Sequence, residues 1–269
     1  MSSSTNFLEN PHPRGHLVQL YEGDEQRLTR NVCNYLWEGL KRGEGLVVIS
    51  TPEHRDEFMR QLQVWGDPDE AVQAGRLILL DAQQTLDRFV VEGQPNWERF
   101  QSTMLPVLRQ LRAAAGYKGL RAYGEMVGLL WKADKFPEAI VVEEFWNKLL
   151  ISNDFQLFCA YPIDIFGTEF EAGVLDGLLC AHTHLLPAGD NEDYLENAIN
   201  RAMEEVLGPK AEELRGLIKA NHRPSWAVVP RAEAMILWLR ANLPEYADAI
   251  VAQACQHSRP SQQTAATAH

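Results

Sequence analysis

The chain has 269 residues, 45% of them hydrophobic and 23% charged, which is ordinary for a globular protein with a sizeable core. Its formal net charge of -12, without any Lys/Arg-rich run, argues against direct nucleic-acid binding and against an anionic membrane surface as partner. No apolar run approaches the roughly 18 residues a membrane span needs, and Met1–Leu8 lacks the features of a secretory signal, so a cytoplasmic protein is expected.

The four cysteines, Cys33, Cys159, Cys180 and Cys255, form no C-x-x-C pair, so a zinc ribbon has no support. Reduced, mostly buried thiols are expected instead.

Residues 1–15, with Pro11, Pro13 and Gly15, read as a flexible lead-in. His16–Tyr21 reads as a first strand. Arg27–Lys41 follows as a helix, with Leu28, Val32, Leu36 and Leu40 near helical spacing and Gly43 ending it. Leu46–Ser50 is a second strand. Thr51 and Pro52 then supply an N-cap and a first-turn proline for a helix to about Trp65.

Arg76–Leu80 is a third strand. From Pro95 a helix carries Trp97, Phe100, Met104, Leu108 and Leu111 on one stripe, and Pro106 inside it predicts a kink. Leu120–Gly124 is a fourth strand, Pro137–Leu150 a strong helix and Phe155–Tyr161 a fifth strand stopped by Pro162. A helix from Gly173 to about His182 completes the unit at Pro187.

Short apolar strands alternating with helices of crossover length predict an α/β fold: a parallel, doubly wound sheet of at least five strands. The division expected is a sheet domain over 16–187, a helical extension over 188–255 and a disordered tail over 256–269. In the extension, 191–219 is one amphipathic helix or two, broken near Gly208 and Pro209. Arg231–Asn242 and Pro244–Ala252 are further helices.

In such sheets ligands bind beyond the carboxyl ends of the strands. After the first strand a phosphate loop would need G-x-x-x-x-G-K-[ST]. Counting from Gly23, the second glycine position is Leu28, the lysine position Thr29 and the hydroxyl position Arg30, and Asp24 and Glu25 add negative charge. This turn does not cradle a triphosphate. No G-x-G-x-x-G fingerprint and no G-x-S-x-G elbow exists either.

Six segments in order carry a resemblance: His16–Tyr21, Gly43–Glu53, Gly124–Met126 with Leu130 and Trp131, Glu143–Asn147, Leu157–Pro162 and Cys180–His184. Together, over about residues 14–187, they resemble the MEDS domain, the sensory domain of DcmR-type regulators and of signalling proteins of methanogens and methylotrophs. The resemblance implies a RecA/KaiC-like sheet without a working phosphate loop. It also implies a sensor of small molecules, for which hydrocarbon derivatives are the proposed ligands, with the signal passed to an output module. No helix-turn-helix, kinase or PAS-type output is recognisable after Pro187, where the helical segment stands instead.

The candidate ligand-binding residues are His16, Tyr21, Glu22, Glu125, Met126, Trp131, Tyr161 and His182. Tyr21 and Glu22 sit where the phosphate loop would begin. Glu125 follows a strand directly, where related NTPases carry an acidic group, and a carboxylate buried there must be paired or protonated. Met126 and Trp131 offer an apolar wall, Tyr161 a phenol. Each also has a plain reading as core or as an ordinary ion pair.

Cys180, His182 and His184 hint at metal, but positions two apart on a helix face different ways, so no metal site is expected from them. Cys159, within a strand, reads as buried and inert. The expected protein is a non-catalytic sensor without a cofactor, taking an unidentified small-molecule ligand. Its signal goes to a protein partner or a second copy of the chain. Two alternatives stand beside it. One is a degenerate KaiC-type nucleotide-binding protein or ATPase using Glu125 with Arg27 or Arg30. The other is an interaction module acting through the helical tail.

Overall fold

The computed structural model describes residues 8–21, 24–116, 118–167, 172–189, 191–221 and 228–258. β1 (His16–Leu20) is followed by α1 (Glu25–Arg42), β2 (Gly45–Ser50), α2 (Pro52–Trp65), the short α3 (Pro68–Gln73) and β3 (Leu77–Asp81). Next come α4 (Ala82–Asp87) and a small hairpin of β4 (Val90–Val91) and β5 (Gln94–Pro95). α5 (Trp97–Ala114), β6 (Leu120–Gly124), α6 (Met126–Lys132), α7 (Phe136–Ser152), β7 (Gln156–Tyr161), α8 (Ala172–Cys180) and β8 (His184–Leu185) complete the sheet unit. The extension is α9 (Glu192–Leu207), α10 (Lys210–Asn221), α11 (Arg231–Asn242) and α12 (Pro244–Ser258).

Six strands form one sheet in the order β3-β2-β6-β7-β1-β8, and every neighbouring pair is parallel. The α/β fold with a parallel sheet and C-terminal helices is therefore as the apolar runs predict. Helices cover both faces, which is why the central strands read as unbroken hydrophobic stretches.

Strand alternation sorts the side chains. Val18, Val47, Ala122, Leu157 and Cys159 point to one face, in a cluster that includes Phe100, Trp146 and Leu178. Leu17, Leu46, Val48, Tyr123 and Phe158 point to the other, against Leu28, Val32 and Leu36 of α1 and Phe58 and Leu62 of α2. Leu195, Ile199, Ile236 and Ile250 of the extension belong to the first cluster, so α9, α11 and α12 share a core with the sheet.

Several details differ from the sequence expectation. The stretch from Leu8, expected to be a flexible lead-in, is held against the sheet. The buried guanidinium of Arg121 in β6 donates to the Leu8 carbonyl at 2.9 Å and the Glu9 carbonyl at 3.2 Å. Arg121 also bonds the Tyr35 carbonyl at 2.9 Å and pairs with Glu44 at 2.5 Å. β8 was not foreseen because two residues carry no alternation. It is fixed by Thr183 N–H to the His16 carbonyl and Leu186 N–H to the Val18 carbonyl, both at 2.8 Å. α8 ends at Cys180, so His182 lies in the turn beyond it rather than on the helix. α12 runs to Ser258, past the expected end at Ala252 and into the segment read as a disordered tail; the rest of that tail, 259–269, lies outside the described residues.

Candidate functional site

The candidates separate into two polar clusters on opposite faces of the sheet. The first lies at the carboxyl ends of β2 and β6. Tyr123 points from β6 to the α1–α2 face, and Glu125, two residues on, follows the same alternation. Glu125 stands just before α6 with φ -112 and ψ 1, and its side chain does not cap that helix. Instead Oε2 accepts the Thr51 N–H at 2.9 Å, which ties β6 to the turn after β2. Oε1 accepts the Tyr123 hydroxyl at 2.7 Å and lies 2.6 Å from His54 Nδ1.

His54 is positioned because Thr51 caps α2 by accepting the His54 N–H, and Pro52 starts the helix. Its ring stacks on Phe58 at 5.7 Å, meets Tyr21 edge-on at 6.1 Å and places Nε2 2.9 Å from Glu25 Oε2. Burial alone would lower the His54 pKa. The hydrogen bonds and charges of Glu125 and Glu25 together outweigh it, so the net direction is upward. Burial, reinforced by Glu125, keeps the Tyr123 phenol well above its ordinary pKa.

Tyr21 is buried at the mouth of this cluster, its N–H on the Tyr161 carbonyl at 3.0 Å. Glu22 lies outside the described residues. At the start of α1, Asp24 accepts the Arg27 N–H at 3.0 Å and holds the Arg27 guanidinium at 2.8 Å. The helix terminus that would face a phosphate is thus capped by a carboxylate of the chain itself.

The second cluster lies on the other face, between β1, β7, α7 and the turn after α8. Glu143 is fully buried on α7. Its Oε1 accepts the Tyr161 hydroxyl at 2.6 Å and lies 3.3 Å from His182 Nε2, while its Oε2 lies 3.2 Å from His16 Nε2. Cys159 Sγ is 3.7 Å from Glu143 Oε2 and 3.4 Å from His16 Nε2. The two imidazoles are tilted against one another with centroids 4.1 Å apart.

The outer nitrogens of both rings are held. His16 Nδ1 is 3.0 Å from Asn147 Oδ1, whose amide nitrogen donates to the Ala181 carbonyl at 2.8 Å. His182 Nδ1 donates to the Leu178 carbonyl at 2.8 Å. A hydrogen on Nδ1 of each ring satisfies these acceptors and leaves Nε2 turned inward, toward Glu143.

Burial and the neighbouring His182 hold the His16 pKa down, against the pull of Glu143. Burial alone would raise Glu143, but the two imidazoles outweigh it and the carboxyl stays below the usual range. Burial and Glu143 push the Cys159 thiol and the Tyr161 phenol well up.

Among the sequence candidates, His16, Tyr161 and His182 thus meet in one cluster, and Tyr21 and Glu125 in the other. Met126 is buried in the core. Trp131 is half-buried with its ring edge-on to Tyr161 at 5.5 Å and against Phe136 at 4.6 Å. Cys180 is exposed and His184 half-buried, so neither shares the interior position of His182.

Sequence reasoning missed His54, Tyr123, Glu143 and Asn147 as site residues; Cys159 is buried within β7, as its place in an apolar strand implies. A signal existed for Glu143. It lies four residues after Ala139 and three before Trp146, on a face that is otherwise apolar, where an unpaired carboxylate is costly.

The model of one family, described as MEDS: MEthanogen/methylotroph, DcmR Sensory domain, matches residues 15–183, which spans β1 to the turn before β8 and both clusters. No curated protein and no solved structure matches the chain.

Proposed function

The chain belongs to the MEDS sensory-domain family and so has a sensory, signalling role; from that premise we propose that it is a non-catalytic receptor for a small, partly apolar molecule. The ligand sits at the carboxyl ends of β1, β2 and β6, facing Tyr21, His54 and Glu125. The observation that carries this reading is the polar wiring at these strand ends. A buried carboxylate, Glu125, is wired to a phenol, an imidazole and a backbone N–H, and Asp24 caps the adjoining helix.

That chemistry disfavours a triphosphate. Two acidic groups stand where phosphate charge would have to be stabilised, and Arg27, the obvious replacement for a phosphate-loop lysine, pairs with Asp24. It favours a neutral or cationic molecule with one hydrogen-bonding group and an apolar body against the rings of Tyr21 and Phe58. The shared core of sheet and extension supports a relay of occupancy through α9, α11 and α12 to a protein partner or a second copy.

The test is a thermal-shift screen of the full chain against short-chain alcohols, amines and haloalkanes, followed by calorimetry of the hits and of ATP with magnesium. The reading expects at least one hit in the screen, binding weakened in Glu125→Gln, and no heat with ATP. Micromolar ATP binding, or hits indifferent to Glu125→Gln, would overturn it.

A further inference from the structure

The second cluster shares no side chain with the crevice of the proposed sensor function and goes beyond it. His16, Glu143, Cys159 and His182 are all buried, and one donor atom from each lies within 4.8 Å of the others. They arrive from four separate elements: β1, α7, β7 and the turn after α8. We propose that these four side chains form a tetrahedral site for a divalent transition-metal ion of the zinc class, bound through both Nε2 atoms, a Glu143 oxygen and the Cys159 sulfur.

Three observations carry this assignment. First, the separations fit ligands around an ion better than they fit direct bonds. Donors about 2.0–2.3 Å from a tetrahedral zinc stand roughly 3.3–3.8 Å from one another. The contacts here are 3.2 Å (His16–Glu143), 3.3 Å (His182–Glu143), 3.4 Å (His16–Cys159) and 3.7 Å (Cys159–Glu143). A charge-assisted imidazole–carboxylate bond closes to about 2.7–2.9 Å.

Second, the outer shell is that of metal-ligating histidines. Each ring gives Nδ1–H to an amide or backbone carbonyl oxygen, which fixes the tautomer with Nε2 free to coordinate. His182 Nε2 is buried and has no hydrogen-bond partner among the described residues. Such an atom costs free energy unless something occupies its lone pair.

Third, the charges close. An ionised Glu143 and a deprotonated Cys159 supply two negative charges, which a divalent ion cancels in a site that water does not reach. The mix of two imidazoles, one carboxylate and one thiolate suits zinc or cobalt(II) and excludes magnesium and calcium, which take oxygen donors. Binding releases the Cys159 thiol proton to solvent and forms the metal–sulfur bond in its place.

The experiment uses the full chain without a histidine tag, stripped with a chelator and titrated with cobalt(II) and then zinc. The expected result is uptake of a single equivalent, with the intense visible bands of tetrahedral cobalt(II) and a near-ultraviolet thiolate-to-cobalt band, both erased by zinc. Cys159→Ser loses the thiolate band, and its zinc affinity falls by more than the roughly 10–100-fold that an outer partner is worth. Absence of stoichiometric uptake by the unaltered chain overturns the proposal, as does a weak octahedral spectrum.

If Cys159→Ser does not fold, Cys33→Ser, Cys180→Ser and Cys255→Ser decide the assignment. A thiolate band surviving all three belongs to Cys159, and its loss in any one of them overturns the site. Neither outcome bears on the ligand screen, whose residues lie on the opposite face.

Discussion

His54 Nδ1 lies 2.6 Å from Glu125 Oε1, and the same ring reaches Glu25 on α1 with its other nitrogen, so one imidazole joins two carboxylates from different elements. The pairing raises the His54 pKa above its ordinary value of about 6.5. A group whose pKa rises on folding contributes its full stabilisation below the unfolded value and loses it as pH climbs through the folded one. The melting temperature of the chain should therefore exceed that of His54→Gln by most below about pH 6.5, and the gap should shrink as the pH rises past the folded value. Paired melts across that range check this. A gap that widens toward alkaline pH has the wrong sign.

Tyr161 gives its hydroxyl to Glu143 at 2.6 Å inside the second cluster. Tyr161→Phe removes that donor and leaves a buried carboxylate oxygen short of a partner, a loss of about 1–3 kcal/mol. Urea unfolding measures it. If the four-residue metal site exists, the deficit should be smaller in zinc-saturated protein, because the ion then takes up the carboxylate.

Asn147 orients His16 without belonging to the four proposed donors. Asn147→Ala should leave the fold intact and weaken cobalt affinity by roughly 10–100-fold, as loss of an outer-shell partner does. The tetrahedral bands should persist at saturating cobalt. Circular dichroism and the cobalt titration together separate this from misfolding.

Arg121 is completely buried in a central strand, paired with Glu44 and bonded to three backbone carbonyls, with its guanidinium 5.0 Å from the Tyr35 ring. Arg121→Met should cost about 3–5 kcal/mol, since Glu44 and three carbonyls lose their donor together. The first turn at Leu8 and Glu9 should become more open to protease, which limited proteolysis followed by mass spectrometry reads directly.

The sheet was legible because its strands are apolar on both faces. Val47, Val48 and Ile49 cannot belong to an exposed hairpin, and Thr51 marks a helix start by its type, whereas the caps Asp24 and Asn96 emerge only from the structure, where the helices expected from Arg27 and Pro95 begin at Glu25 and Trp97. The site was half legible. Glu125 and Tyr161 stand at strand ends, where the parallel fold directs attention. His54 and Glu143 lie on helices, 71 residues from Glu125 and 18 from Tyr161 respectively, and only the strand order β2-β6-β7 makes them neighbours. His182 was placed on a helix that ends two residues earlier, so its approach to His16 depends on the turn and on the pairing of β8 with β1, which no local pattern announces.

Gly128 sets how closely α6 lies on β7. A Cβ there would stand 2.9 Å from the Ala160 carbonyl oxygen, a backbone atom that cannot swing aside. α6 begins directly after Glu125, so any outward shift of the helix pulls on the residue that holds Thr51, Tyr123 and His54 together. Gly128→Ala should thus destabilise the chain by about 1–3 kcal/mol, the usual cost of forcing an extra carbon into a packed interior. It should also loosen the crevice, which a lowered pKa of His54 in a proton NMR titration would register. None of the four proposed donors lies on α6, so cobalt binding should survive the substitution. A variant that loses cobalt binding while His54 titrates as before would show that the helix braces the other face.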